Sequence, residues 1–197
     1  MTDILSTETG PVTTTETGPV TSTEAGPVTP DRFRQVFRRH PAGVVVITTD
    51  AGRGPAGFTA TSLTSLSLEP ALVSFGIAST ASSWPHVRDA DTAVVNFLGA
   101  EQEAVAQRFA TSGIDRFGGP TRWSRLPGGA PVLDEAPGWL QVRIADIVTA
   151  GDHRIVIARV ESSWLADLHR PLVHHDGRYH SLPSAPHPDL LLGVDAS

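Results

Sequence analysis

The 197-residue chain contains neither cysteine nor lysine, so all fifteen of its basic residues are arginines. The absence of cysteine excludes disulfides, thiolate metal sites, iron–sulfur clusters and a cysteine nucleophile. It also fits a reducing compartment, and the N-terminus lacks the basic and apolar regions of a signal peptide, so we expect a cytoplasmic protein. Apolar runs such as Val44-Val45-Val46-Ile47 suit a strand and fall far short of the roughly 20 residues that cross a bilayer, so no membrane partner is expected. The formal net charge of -6 disfavours nucleic acid as a partner, because phosphate binding needs a basic face.

A repeat of eight residues occupies the N-terminal end of the chain. Thr-Glu-Thr-Gly-Pro-Val, beginning at Thr7, returns from Thr15 and returns again from Thr23 with alanine in the third place. Each unit offers one valine to bury, and Gly-Pro blocks both helices and central strands. We therefore expect residues 1–29 to form a disordered low-complexity tail, with a partner-docking role left open. Residues 30–183 are expected to form one domain, followed by a C-terminal tail at 184–197.

The ordered part is predicted to be mainly β with a few helices. Thr29 and Pro30 suit the start of a helix that carries Phe33, Val36 and Phe37 on one face. Two more helices are predicted, at 81–90 and 101–110, while Asp176-Gly177 indicates a two-residue hairpin turn. Many closely spaced strands favour a β-barrel or sandwich over a βαβ repeat. The predicted strands are 44–49, 58–68, 71–78, 94–98, 139–149, 153–165, 171–175 and 178–182.

The glycine pattern Gly52-x-Gly54-x-x-Gly57 follows a strand, as in dinucleotide-binding turns. Dinucleotide binding requires a helix directly after the glycines, because the N-terminal amides of that helix bind the pyrophosphate. Phe58–Leu68 instead alternates and is rich in hydroxyl and β-branched residues, which predicts a strand. We interpret the glycine segment as a hairpin connection.

Two segments are dense in serine and threonine, namely this strand and Ser79-Thr80-Ala81-Ser82-Ser83 before a helix. Threonine's preference for strands and a cluster of helix caps would explain both. The alternative is a ligand site, because hydroxyls and free amides at a helix start can hold a phosphate without lysine. An extended strand beside them would offer amides and carbonyls to a planar ring such as isoalloxazine.

From Phe33 to about Leu182 the chain resembles the flavin reductase-like family, the FMN-binding split-barrel enzymes that supply reduced flavin in two-component monooxygenase systems. Single motifs are short, and their order and spacing together carry the resemblance. They are Phe33-Arg34, His40-Pro41-Ala42-Gly43-Val44-Val45-Val46-Ile47-Thr48-Thr49, Gly57-Phe58-Thr59-Ala60-Thr61-Ser62, Ser65-Leu66-Ser67-Leu68-Glu69-Pro70, Val95-Asn96-Phe97-Leu98, Arg108-Phe109-Ala110, Asp115-Arg116-Phe117, Gly151-Asp152-His153, Pro171-Leu172 and Gly177-Arg178-Tyr179.

The resemblance implies roles for individual residues. The flavin ring and ribityl chain would meet Ala60, Thr61, Ser62, Thr64 and Ser67, and Phe109 would pack near the flavin. The phosphate would meet Ser79, Thr80, Ser82 and Ser83. The nicotinamide would meet Gly151, Asp152, His153 and Tyr179, with His153 as the catalytic candidate. Many relatives carry a basic residue in place of Ser82 and a lysine in place of Arg116, so the phosphate contacts depart from the family pattern here.

The implied activity is reduction of FMN or FAD by NADH or NADPH, with reduced flavin passing to a partner monooxygenase. Two alternatives stay open: an oxidase or oxygenase of the same fold that retains its flavin, and a non-catalytic flavin-binding barrel. Relatives also imply a homodimer. A metal site at His174, His175 and His180 is not expected, because adjacent strand residues point to opposite faces.

Overall fold

The computed structural model describes residues 27–167 and 169–182, and over these ranges the protein is mainly β, as predicted. Residues 1–26 of the expected N-terminal tail, and the expected C-terminal tail, lie outside the described residues. The helices are α1 (Pro30–Arg38), α2 (Trp84–Arg88) and α3 (Glu103–Ala110), the last preceded by a 3-10 turn at Ala100–Gln102. The strands are β1 (Ala42–Gly43), β2 (Val45–Asp50), β3 (Pro55–Ala60), β4 (Thr64–Leu68), β5 (Ala71–Ala78), β6 (Thr92–Phe97), β7 (Trp123–Arg125), β8 (Pro131–Leu133), β9 (Gly138–Ala150), β10 (His153–Leu165), β11 (Leu172–His175) and β12 (Arg178–Ser181).

Seven of the strands form one antiparallel sheet in the order β3-β2-β6-β9-β10-β5-β4. Its two outer strands, β3 and β4, are joined by residues 61–63 alone, which we call the crossing segment. A chain spans at most roughly 3.3–3.6 Å per residue, so the two edges of the sheet must lie close together. The sheet therefore closes on itself, and the predicted mainly β barrel is confirmed. We call the place where the two edges meet the seam.

The prediction of one continuous strand over Phe58–Leu68 is wrong. The strand is interrupted because the hydroxyl of Ser62 accepts a hydrogen bond from the backbone N–H of Gly76 in β5, at 2.8 Å. This bond ties the crossing segment to the opposite side of the seam. One half of the predicted strand consequently pairs with β2 and the other with β5.

The run of valines in β2 is buried on both faces. Val45 and Ile47 point into the barrel, where they join Phe75 in the main core. Val46 points outward and packs against Phe109 of α3. Burial on both faces explains why this strand is continuously hydrophobic rather than alternating.

The N-terminal helix is capped as predicted, since the Thr29 hydroxyl accepts a hydrogen bond from the N–H of Arg32. Its apolar face, however, is largely uncovered by the described residues. Phe33, Val36 and Phe37 are 53%, 60% and 57% exposed, and the two phenylalanine rings stack on each other at 4.6 Å. An amphipathic helix with its apolar face open to solvent indicates a surface that another molecule covers.

Both predicted hairpins are confirmed. The glycine segment turns β2 into β3, with Asp50 opposite Pro55. Asp176 and Gly177 both have positive φ, and the turn places His175 opposite Arg178. In the part of the chain that the structure describes, no three His, Asp or Glu side chains form a group that could hold a metal ion, and no helix is long and apolar enough to cross a membrane.

Candidate functional site

A pocket of about 410 Å³ opens at the seam. The crossing segment, β5, the turn before α2, the end of α3 and the following loop form its walls. The structure gathers seven of the predicted site residues here, from segments distant in sequence. They are Ala60, Thr61, Ser62, Ser82, Ser83, Phe109 and His153.

The inner wall of the pocket is rigid. Thr59 donates its hydroxyl hydrogen to the carbonyl of Ala106 at 2.6 Å, which fastens β3 to α3. Phe109 is fully buried and packs edge-on against Phe117, with ring centroids 5.2 Å apart. Its ring approaches the backbone so closely that a Cβ atom at Gly57 would lie 2.9 Å from Phe109 Cε1 and 2.8 Å from the carbonyl oxygen of Ile47. The last glycine of the pattern therefore serves packing in this wall.

Replacing Gly57 with alanine is expected to lower the free energy of unfolding by about 2 kcal/mol, because the added methyl would overlap a backbone oxygen that cannot move away. Urea unfolding measures the change. Gly43→Ala is the matched control, since a Cβ at Gly43 meets nothing within 4 Å. Equal effects at the two glycines would contradict the packing argument.

Arg116 is a pocket residue that the sequence prediction left out of the site. Its Nη1 donates to the carbonyl of Gly57 at 3.0 Å and to the hydroxyl of Ser83 at 2.9 Å, and its Nε donates to the carbonyl of Thr111 at 3.0 Å. Burial lowers the pKa of this guanidinium, and no carboxylate pairs with it within the described ranges. A half-buried cation without a counter-ion, facing a pocket, favours an anionic ligand.

The loop that carries Arg116 is shaped by two neighbours. The Asp115 carboxylate accepts hydrogen bonds from the backbone N–H groups of Phe117 and Gly118, each at 3.0 Å. Arg108 of α3 donates to the carbonyls of Asp115, Arg116 and Gly118. These bonds fold the loop back onto α3, and the fold directs the Arg116 side chain to the pocket.

His153 stands at the outer rim, where its ring Nδ1 lies 2.7 Å from the carboxylate of Asp152. This hydrogen bond lowers the pKa of the Asp152 carboxyl, so Asp152 is ionised at neutral pH. A carboxylate only accepts hydrogen bonds, which places the imidazole proton on Nδ1. With the proton on Nδ1, Nε2 is the ring nitrogen that can accept a hydrogen bond.

The other predicted site residues lie outside this pocket. Ser79 uses its backbone N–H and its hydroxyl to bond the carbonyl of Asp152, so it supports the turn that carries His153. Thr64 lines a second cleft of about 880 Å³ beside α1. Tyr179 packs against His174, with ring centroids 5.4 Å apart, and burial raises the pKa of its phenol. The remaining predicted residues that do not line the pocket are Ser67, Thr80, Gly151 and Asp152.

The chemistry of the pocket fits a flavin nucleotide. Its volume falls within the roughly 300–1,000 Å³ of small-molecule sites. Arg116 and the hydroxyls of Ser82 and Ser112 can hold a phosphate, and Phe109 with the backbone of the crossing segment offers a surface for a planar ring.

Known proteins share the sequence pattern of this chain. A family model described as "Flavin reductase like domain" matches residues 37–183. The chain is 44% identical over 152 residues to an "NADH:FMN oxidoreductase" of Rhodococcus erythropolis, covering 75% of this chain and 79% of the relative. It is 34% identical over 150 residues to "Flavin-dependent monooxygenase, reductase subunit HsaB" of Rhodococcus jostii, covering 76% of each chain.

A solved structure shares the fold. "NADH:FAD oxidoreductase SgcE6 in complex with NAD and FAD fragments", from Streptomyces globisporus, superimposes with a TM-score of 0.75 at 31% identity. The match covers 81% of this chain and 98% of that one. The predicted family and the predicted split-barrel fold are thereby confirmed: the chain belongs to the flavin reductase-like family.

Proposed function

We propose that this protein is a flavin reductase that uses a reduced nicotinamide dinucleotide to reduce FMN in the seam pocket. The observation that carries the proposal is the unpaired Arg116 guanidinium at the end of a pocket whose wall is Phe109 and whose rim holds His153. These three groups suit a phosphate, a planar ring and a carboxamide. Relatives named as NADH:FMN oxidoreductases support the same assignment.

The flavin, when bound, accepts a hydride from C4 of the dihydronicotinamide, which leaves as the oxidised dinucleotide. The protein's own part is to bind and orient. Arg116 neutralises the phosphate, the crossing segment holds the edge of the ring, and Nε2 of His153 accepts a hydrogen bond from the carboxamide N–H of the nicotinamide. No side chain needs to act as a nucleophile.

Thr61, Ser62, Ser82 and His153 are exposed, so the pocket mouth is open to solvent. An open mouth with few charged contacts favours exchange of flavin over permanent retention. Exchange is what a reductase needs if reduced flavin is to pass to a separate monooxygenase. Relatives named as reductase subunits of flavin-dependent monooxygenases support such a partner.

The deciding experiment follows oxidation of NADH, and separately of NADPH, by purified protein with and without added FMN or FAD. We expect a rate that saturates with added flavin and with the dinucleotide. Gel filtration of the protein mixed with FMN should separate the flavin from the protein, since exchange is rapid. A flavin-dependent rate no greater than that of free flavin with NADH would overturn the assignment. Flavin that survives gel filtration together with substrate-dependent oxygen uptake would favour the oxidase alternative.

We further propose that the protein is a homodimer, and a cytoplasmic location stays a prediction from the sequence. The open apolar face of α1 and the outward leucines of β4, with Leu68 86% exposed and Leu66 48% exposed, form the surfaces that a second copy would cover. Light scattering should report twice the 20.8 kDa chain mass. Leu68→Glu should shift the equilibrium toward the monomer, and a monomeric wild type would refute the dimer.

A further inference from the structure

Ser83 is the most buried hydroxyl in the seam pocket, with 2% of its surface exposed. Its Oγ donates to the carbonyl of Gly57 at 2.8 Å and accepts from Nη1 of Arg116 at 2.9 Å. The resemblance to flavin reductases assigned this residue a direct contact with the phosphate. The hydrogen-bond geometry gives it a different role.

A serine hydroxyl has one hydrogen and two lone pairs. The hydroxyl hydrogen of Ser83 is already donated to the carbonyl of Gly57, a buried residue of β3. Phosphate oxygens need donors, so Ser83 cannot serve a phosphate without releasing Gly57. Toward other groups Ser83 can therefore act only as a hydrogen-bond acceptor, and it accepts from Nη1 of Arg116.

The Arg116 guanidinium has five N–H groups in a rigid plane. Nε donates to the carbonyl of Thr111, and Nη1 donates to the carbonyl of Gly57 and the hydroxyl of Ser83, which are themselves hydrogen-bonded at 2.8 Å. Within the described ranges no hydrogen bond to Nη2 is found. Both hydrogens of Nη2 are therefore available to a ligand. The bonds from Nε and Nη1, made within the plane of the group, restrain its orientation.

We propose that Ser83 is a positioning residue that makes the pocket select phosphorylated flavins over riboflavin. By holding Nη1, it keeps the guanidinium plane fixed with Nη2 free for the phosphate. Selection by a fixed guanidinium differs from attraction by a point charge, because N–H groups held in fixed directions favour an anion only in one orientation. This inference rests on the proposed function, since it presumes that the pocket holds a flavin.

The experiment measures dissociation constants for FMN and for riboflavin, by flavin fluorescence, on the full-length protein. Ser83→Ala should weaken FMN binding about 5-fold and leave riboflavin binding unchanged. In steady state, KM for FMN should rise while kcat stays constant. In an Arg116→Ala background the Ser83 substitution should have no further effect, because its partner is gone. The matched control is Thr49→Val, which removes a buried hydroxyl bond to the carbonyl of Thr92, outside the pocket.

A second variant keeps the inference testable if Ser83→Ala folds poorly. Arg116→Lys retains the positive charge and loses the three-bond anchorage, so it should lose FMN preference to a similar extent. Full preference in Arg116→Lys would mean that charge alone suffices, and equal weakening of both flavins in Ser83→Ala would mean a purely structural role. Either result overturns the inference. The proposed site itself fails in a different way, namely if the wild type does not prefer FMN and Arg116→Ala changes neither constant.

Discussion

Arg116→Ala should raise the dissociation constant for FMN by about 30-fold and leave that for riboflavin nearly unchanged. Hydrogen bonds to a charged group contribute about 1.5–3 kcal/mol each, and every 1.4 kcal/mol corresponds to a factor of ten. Among the described residues, the variant removes the one arginine that lines the pocket. Fluorescence titration with the two flavins measures the difference directly.

The control for Arg116→Ala is Arg122→Ala. Arg122 lies on the same loop and is exposed, 3.4 Å from the carboxylate of Glu135, and it does not line the pocket. Both variants lose one positive charge, so a general electrostatic effect would appear in both. A similar loss of FMN affinity in the two proteins would remove Arg116 from the site. High salt should weaken FMN binding by the wild type and have little effect on Arg116→Ala.

Asn96→Ala should lower the free energy of unfolding by about 3 kcal/mol. Asn96 is fully buried in β6, and its amide nitrogen donates to the carbonyl of Val46 at 3.0 Å and to the hydroxyl of Thr48 at 3.1 Å. Its amide oxygen accepts from the backbone N–H of Leu133 at 2.9 Å. Truncation leaves that N–H buried without a partner and opens a cavity, and both effects destabilise the fold.

Urea unfolding of Asn96→Ala and of Gln107→Ala provides the comparison. Gln107 also carries an amide, but it is exposed and bonds the carboxylate of Glu103 at 2.8 Å, so its loss should change stability by less than about 0.5 kcal/mol. Similar midpoints for the two variants would show that the Asn96 bonds contribute little. The expected difference identifies the asparagine of the Val95-Asn96-Phe97-Leu98 motif as a brace between the barrel and β8.

Elements that depend on local chemistry were predictable from the sequence. The hairpin at Asp176 and Gly177 follows from two residues that accept positive φ, and the two-residue turn sets the observed pairing of His175 with Arg178. The bounds of β5 and β10 also follow from local patterning. The interruption at Ser62 was not predictable in this way, because its cause is a bond to Gly76, fourteen residues further on.

The residues of the candidate site show the same difference between features set by local sequence and features set by tertiary contacts. Thr61, Ser62 and Ser82 lie in hydroxyl-rich segments that were visible in the sequence, and all three line the pocket. Arg116 was noticed only as a departure from the family pattern. Its orientation depends on a loop that Arg108 and Asp115 hold in place, and no local pattern encodes that arrangement. The apolar face of α1 was recognised, but its exposure among residues 27–167 and 169–182 emerges only from the fold.

The three-residue connection between β3 and β4 has a consequence for how this enzyme can diversify. The same residues complete the circle of strands and furnish one side of the binding pocket. An insertion there would separate the two edge strands of the barrel and displace the pocket wall that residues 61–63 form. New substrate preferences must therefore come from substitutions that keep the length of this connection constant. Natural variation in loop length among homologues should therefore be absent between β3 and β4.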